Sequence, residues 1–126
     1  MQSLLINRSN NTPQVSWNVD TQEYTIDGKS FPENTKSFYT PLIQWLEDFK
    51  PSGDEICFRF GFDYVSSSSI IALLEVLRTI EKHRNSGANI QIMWQYDEGD
   101  EDIYKMGVDF EKLVAIPFSY QEIKEA

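Results

Sequence analysis

A strand-like segment, a helix-like segment and a second strand-like segment follow one another between residues 55 and 96. That order constrains the fold more than anything else in the chain. Residues 55–65 read Glu-Ile-Cys-Phe-Arg-Phe-Gly-Phe-Asp-Tyr-Val and set Ile56, Phe58, Phe60 and Phe62 at alternate positions, the period of a strand. Residues 69–85 place Ile70, Leu73, Leu74, Leu77 and Ile80 at helical spacing toward a sheet, and Gly87 is positioned to end that helix. Residues 89–96, Asn-Ile-Gln-Ile-Met-Trp-Gln-Tyr, return to strand. Such a unit implies parallel pairing through a right-handed crossover. Cys57, Gly61 and Tyr64 do not continue the Phe face cleanly, which suggests a first strand covered on both sides.

The N-terminal part adds antiparallel strands. Leu4–Ile6 reads as a short strand. Val15, Trp17 and Val19, then Tyr24 and Ile26 after a turn near Asp20-Thr21-Gln22, alternate as a hairpin does. Asp27-Gly28 is a turn signal, and Phe31-Pro32 ends the unit. Phe38, Leu42, Trp45, Leu46 and Phe49 make one apolar helical stripe. Pro41 fits the first turn of that helix, with Thr40 as its cap, so the helix is expected over 40–49. A third helix is expected over about 100–107, a further turn at 109–113, and a last strand at 116–120. The expected fold is α/β: a mixed sheet with an N-terminal antiparallel hairpin and a βαβ unit, with helices mainly on one face. The 126 residues fit one domain.

The chain carries 11 basic and 20 acidic side chains, a net charge of −9, which disfavours nucleic acid and anionic lipid as general partners. No segment approaches the roughly 20 apolar residues of a membrane span, and Leu4-Leu-Ile6 is too short for a signal peptide core. The single Cys57 excludes an internal disulfide and reads as a buried reduced thiol. A cytoplasmic protein is expected.

Few residues offer chemistry. The one histidine, His83, lies between Lys82 and Arg84 and reads as solvated. No glycine-rich phosphate loop and no Cys-x-x-Cys pair occur, and neither a catalytic group nor a cofactor is expected. Residues 97–102, Asp-Glu-Gly-Asp-Glu-Asp, lack the alternate ligand spacing of a calcium loop. Asp100, Glu101 and Asp102 suit a helix start and could form a negative docking surface for a basic partner. A small metal-dependent hydrolase using residues 97–102 is the enzymatic alternative. Ser66, Ser67, Ser68 and Ser69 stand where strand passes to helix. One or two serines there are explained by helix capping. Four are not, because serine is a mediocre helix former. A hydroxyl beside the free N–H groups of a helix start is a suitable place for a phosphoryl group. A scaffold without phosphorylation, its serines acting only as a cap, is the other alternative.

Three blocks carry a resemblance. Phe62-Asp-Tyr-Val-Ser-Ser-Ser-Ser-Ile70, Phe38-Tyr-Thr-Pro-Leu-Ile-Gln-Trp-Leu46, and Trp94-Gln-Tyr-Asp-Glu-Gly-Asp-Glu-Asp102 through Gly107 and Phe110 together resemble the SiaC-type regulatory phosphoproteins. These are bacterial STAS-like domains similar in logic to anti-anti-sigma factors, and the resemblance spans about residues 3–122. The family pattern at the junction, roughly Tyr-[Phe/Leu]-Asn-Thr-Ser-Ser, falls on Tyr64-Val-Ser-Ser-Ser-Ser69. Its phosphoacceptor threonine falls on Ser67 and its asparagine on Ser66. A lysine often found shortly afterwards is replaced by Ile71. The resemblance implies a non-enzymatic partner-switching protein of cyclic di-GMP signalling, phosphorylated on Ser67. A kinase with a histidine-kinase-like ATPase domain would add the phosphoryl group, and a PP2C-type phosphatase would remove it. The output protein would be one such as a diguanylate cyclase. Tyr64, Ser66, Ser68, Ser69, Asp100, Glu101 and Asp102 are the expected partner-binding residues.

Overall fold

The computed structural model describes residues 1–53 and 55–125. Its elements run β1 (Leu4–Ile6), β2 (Gln14–Asn18), β3 (Glu23–Ser30), α1 (Thr35–Asp48), β4 (Ile56–Val65), α2 (Ser67–Asn85), β5 (Ile90–Asp97), α3 (Glu101–Leu113) and β6 (Phe118–Ile123). The strands form one sheet in sequence order. β1, β2 and β3 pair antiparallel, and β3 to β6 pair parallel. The expected mixed sheet is present, and its parallel part is larger than one βαβ unit. β3–α1–β4, β4–α2–β5 and β5–α3–β6 follow in succession, each stepping to the next strand on the same side. Crossovers of one hand then carry all three helices to one face.

That face holds the core. Trp17, Ile26, Phe58, Phe60, Ile92 and Trp94 point into it and are almost fully buried. Trp45 and Phe49 of α1 stack on each other at 5.0 Å, and Phe49 meets Tyr24 and Phe58 edge-on. Phe110 of α3 closes on Trp94 at 5.7 Å. The opposite face carries Thr25, Arg59, Gln91, Gln95 and Gln121, half-buried or exposed. β4 is therefore covered on one side, not both. Cys57 lies on the open side, half-buried, and partial burial pushes its thiol pKa up.

Several local expectations give way. β3 runs straight through Asp27-Gly28. Gly28 adopts φ +114° there, and the register with β4 slips between Gly28 and Lys29, so that Phe62 and Tyr64 become successive partners. This bulge passes over Asp63 and flips the alternation, keeping Tyr64 outside and Val65 inside. The helix α1 begins at Thr35, where the Asn34 side chain accepts from Ser37 N at 3.0 Å. Thr40 is not its cap, and Pro41 lies in its interior. The carbonyl that Pro41 leaves unpaired belongs to exposed Ser37, where water can satisfy it. In α2 the buried row is Ser69, Leu73, Val76, Leu77 and Ile80. Ile70 is turned partly outward, because Ser69 takes the inward place. Residues 109–113 continue α3 and form no separate turn. The last strand starts two residues later than expected. His83 is not solvated: its Nε2 donates to the Leu46 carbonyl at 2.5 Å, and its ring stands edge-on to Phe49.

Candidate functional site at the carboxyl edge of the sheet

Three parallel crossovers have a second consequence. α1 follows β3, α2 follows β4 and α3 follows β5, so all three helix N-termini lie at the carboxyl edge of the sheet. The free N–H groups of three helix starts are therefore gathered along one edge. The serine run and the acidic segment, 31 residues apart from Ser69 to Asp100, open neighbouring helices there. Ile70 and Asp102 line one small groove between them.

The four serines have four different surroundings. Ser66 is the N-cap of α2, with φ −71° and ψ 162°, and its Oγ accepts from Ser69 N at 3.2 Å. Its own N–H donates to the Ser30 carbonyl at 2.8 Å, which ties the cap to the end of β3. Ser69 is fully buried. Its Oγ accepts from Ser66 at 3.0 Å and from Ser30 at 2.8 Å. Ser30 in turn is 2.5 Å from the hydroxyl of buried Tyr39, so Tyr39 donates to Ser30. Burial, against the lowering effect of its serine partners, pushes the Tyr39 pKa up to about 12. Ser68 is exposed and lies 2.8 Å from the Thr35 hydroxyl in the first turn of α1. It is also 3.3 Å from Ser66. Each hydroxyl has one proton. Ser66 uses its own on Ser69, so Ser68 donates to Ser66. Ser67 is exposed, and its hydroxyl enters none of these bonds. Ser69, expected on a partner-binding surface, belongs instead to a core hydroxyl network.

The Thr35–Ser68 bond joins the first turns of two helices. Neither first turn contains an acidic residue. Each helix N-terminus carries roughly half a positive elementary charge on its free N–H groups, and Lys36 lines the same groove as Thr35 and Ser68. Glu47 and Glu75 lie in that groove as well, so the positive field at the start of α2 is that of its own free N–H groups. Apolar side chains surround this spot. Tyr64 is 52% exposed and meets exposed Phe31 edge-on at 5.7 Å. Ile71 is 73% exposed, far more than an isoleucine needs for packing.

The acidic edge is built differently. Asp100 caps α3, accepting from Ile103 N at 3.0 Å. Glu101 and Asp102 occupy the first turn and are exposed. Asp97, at the end of β5, has its carboxyl pKa raised by desolvation and then by the neighbouring Asp63 carboxyl. Among the described residues no group of three or more His, Cys, Asp or Glu side chains could hold a metal ion, and no helix is long and apolar enough to cross a membrane. Ser30, Phe31, Thr35 and Tyr39 escaped the sequence reading, because nothing local in residues 30–39 signals that they meet the serine run.

Comparison with known proteins bears on the family and the fold. Residues 6–123 match the family model described as SiaC family regulatory phosphoprotein. An uncharacterized protein of Pseudomonas aeruginosa (strain UCBPP-PA14) is 27% identical over 124 residues, covering 96% of this chain and 97% of that relative. The crystal structure of apo-SiaC from Pseudomonas aeruginosa superposes with a TM-score of 0.85 at 24% identity, covering 96% of this chain and 99% of that one. SiaC bound as activator to the diguanylate cyclase SiaD, from the same organism, superposes with a TM-score of 0.86 at 25% identity, covering 95% and 99%.

Proposed function

The chain belongs to the SiaC family of regulatory phosphoproteins, and we propose that it is a single non-enzymatic binding module whose partner is chosen by the phosphorylation state of Ser67. The observation that carries this reading is the difference among the four serines. Ser66 and Ser69 are held by capping and core bonds, Ser68 is tied to Thr35, and the exposed Ser67 hydroxyl is left to an incoming kinase. In the transfer, Ser67 Oγ bonds to the γ-phosphorus of ATP, the bond to ADP breaks, and the hydroxyl proton passes to a base of the kinase. A PP2C-type phosphatase returns the hydroxyl by hydrolysis.

The switch is electrostatic. A phosphoryl group adds about −1.5 to −2 charges at pH 7. It would land in the first turn of α2, whose free N–H groups can hold it without unfolding the helix. Its charge would also stand beside Tyr64, Phe31 and Ile71, where an apolar partner surface could dock only at the cost of desolvating it. The unphosphorylated form therefore binds the output protein and the phosphorylated form releases it. A diguanylate cyclase is the output class favoured, because a structural relative is the activator of one. Tyr64, Ser66 and Ser68 frame this surface, and Asp100, Glu101 and Asp102 extend it.

Intact mass after incubation with a SiaC-system kinase and ATP tests the assignment. Wild type gains one phosphoryl group and Ser67→Ala gains none. An equal gain in the Ser67→Ala protein refutes Ser67 as the acceptor. A pull-down with the cyclase then tests the gate, which fails if the phosphorylated protein binds as well as the unmodified one.

A further inference from the structure

At the far end of the carboxyl edge, α3 crosses the ends of β5 and β6 and leaves an open cavity of about 300 Å³. Tyr96, Gly99, Asp100, Glu101, Tyr104 and Glu122 line it. Its walls are aromatic. Tyr96 and Tyr104 meet at 5.0 Å and 62°, and Tyr120 packs behind Tyr104 at 5.4 Å. Tyr120 is itself anchored, donating its hydroxyl to Glu111 at 2.6 Å. The ring wall is thus braced from behind, yet Tyr104 remains 39% exposed. Tyr96 and Glu122 are register partners on adjacent strands, so one carboxylate stands at the lip of the aromatic wall. Glu101 supplies a second.

The chemistry of the lining selects one kind of ligand. Aromatic faces attract cations, and carboxylates pair with them. Among the described residues the ion pair present is Arg8–Asp27, on another part of the surface, so Glu101 and Glu122 reach the cavity without a cationic partner. The N-terminus of α3 contributes roughly half a positive charge, which the two first-turn carboxylates of Glu101 and Asp102 outweigh. No lysine or arginine lines the cavity.

We infer that this cavity binds an arginine side chain of a protein partner, the guanidinium stacking on Tyr104 and Tyr96 and pairing with Glu101 and Glu122. A planar guanidinium can do both at once, whereas an ammonium offers no face for stacking. The pocket lies on the acidic part of the surface and does not include Ser67. It rests on the reading of the chain as a protein-binding module and adds a specific contact to the acidic part of that surface, one made without any contact to Ser67.

Acetyl-Gly-Arg-Gly-amide titrated into the full chain, followed by amide and ring NMR shifts, tests it. Saturable shifts are expected at Tyr96, Gly99, Glu101, Tyr104 and Glu122. The lysine peptide should bind about fivefold more weakly. The citrulline peptide, which keeps the shape and lacks the charge, should not saturate. Tyr104→Ala, and separately the exposed pair Glu101→Gln/Glu122→Gln, should abolish the shifts, while Ser67→Ala leaves them intact. Equal binding of citrulline, shifts spread over all the acidic residues, or stronger displacement of the same signals by magnesium would overturn the arginine assignment. None of these results bears on Ser67, and a failed phosphorylation assay would leave this one standing.

Discussion

Ser30 and Ser69, 39 residues apart in the chain and both fully buried, share a hydrogen bond of 2.8 Å. This bond fastens the start of α2 to the end of β3, and it separates the serine run into structural and available hydroxyls. Ser69→Ala leaves the Ser30 and Ser66 hydroxyls without their acceptor. The expected loss is about 1–3 kcal/mol, the cost of stranding buried polar groups. Ser67→Ala removes an exposed hydroxyl outside the network and should stay within about 0.5 kcal/mol of wild type. Urea unfolding of the two variants side by side measures both, and a Ser67→Ala loss as large as that of Ser69→Ala would contradict the network.

Phosphorylation should stabilise the fold. A phosphoryl group on Ser67 would stand in the first turn of α2, which carries no acid to oppose it. A gain of about 0.3–2 kcal/mol is expected at low salt, shrinking at about 0.5 M salt because exposed charges are screened. Thermal melting of phosphorylated and unmodified protein at two salt concentrations checks this. A lower melting point for the phosphorylated form at low salt would show that the helix start does not receive the group.

Tyr39 gives the stability a dependence on alkaline pH. Its folded pKa is pushed up to about 12 from the ordinary 10.0. Above pH 10 the unfolded chain loses this proton while the folded chain keeps it, so stability falls as pH rises from about 10 to about 12. Tyr24 is raised in the same direction by burial and adds to the slope. Tyr39→Phe should flatten part of the decline in denaturation midpoints measured between pH 9 and 12. Parallel curves for variant and wild type would remove Tyr39 from the explanation.

Gly107 permits α3 to lie against Trp94. A Cβ at this position would approach Trp94 Cδ1 to 2.5 Å, and the indole cannot retreat easily, because its N–H donates to the Ile103 carbonyl at 2.8 Å. Gly107→Ala should therefore destabilise by about 1–3 kcal/mol, despite the better helix propensity of alanine. Chemical denaturation measures the loss, and near-ultraviolet circular dichroism should show a changed tryptophan environment. An alanine variant as stable as wild type would mean that the contact is loose.

Residues with a strong period were legible from the chain. Alternating Phe58, Phe60 and Phe62 determined a strand, the apolar row after residue 69 determined a helix, and the strand at 90–97 made the unit parallel. The position of the serine run at a strand-to-helix junction was equally readable, because a helix start needs a cap and Ser66 supplies one. Boundaries set by competing local signals were not. Asp27-Gly28 has the chemistry of a turn, yet pairing with β4 on one side and β2 on the other keeps it in the sheet. Pro41 resembles a first-turn proline, yet Asn34 caps the helix earlier.

What the sequence determined by itself was the type and order of the main elements, because hydrophobic period is a local property. What only the tertiary structure decided was which serine is free. Ser69 became a core residue through Ser30 and Tyr39, and Ser68 was tied by Thr35. These partners lie 30 to 39 residues back in the chain, and their distance from the run is closed by the pairing of β3 with β4 and the packing of α1 against α2, which no local pattern records.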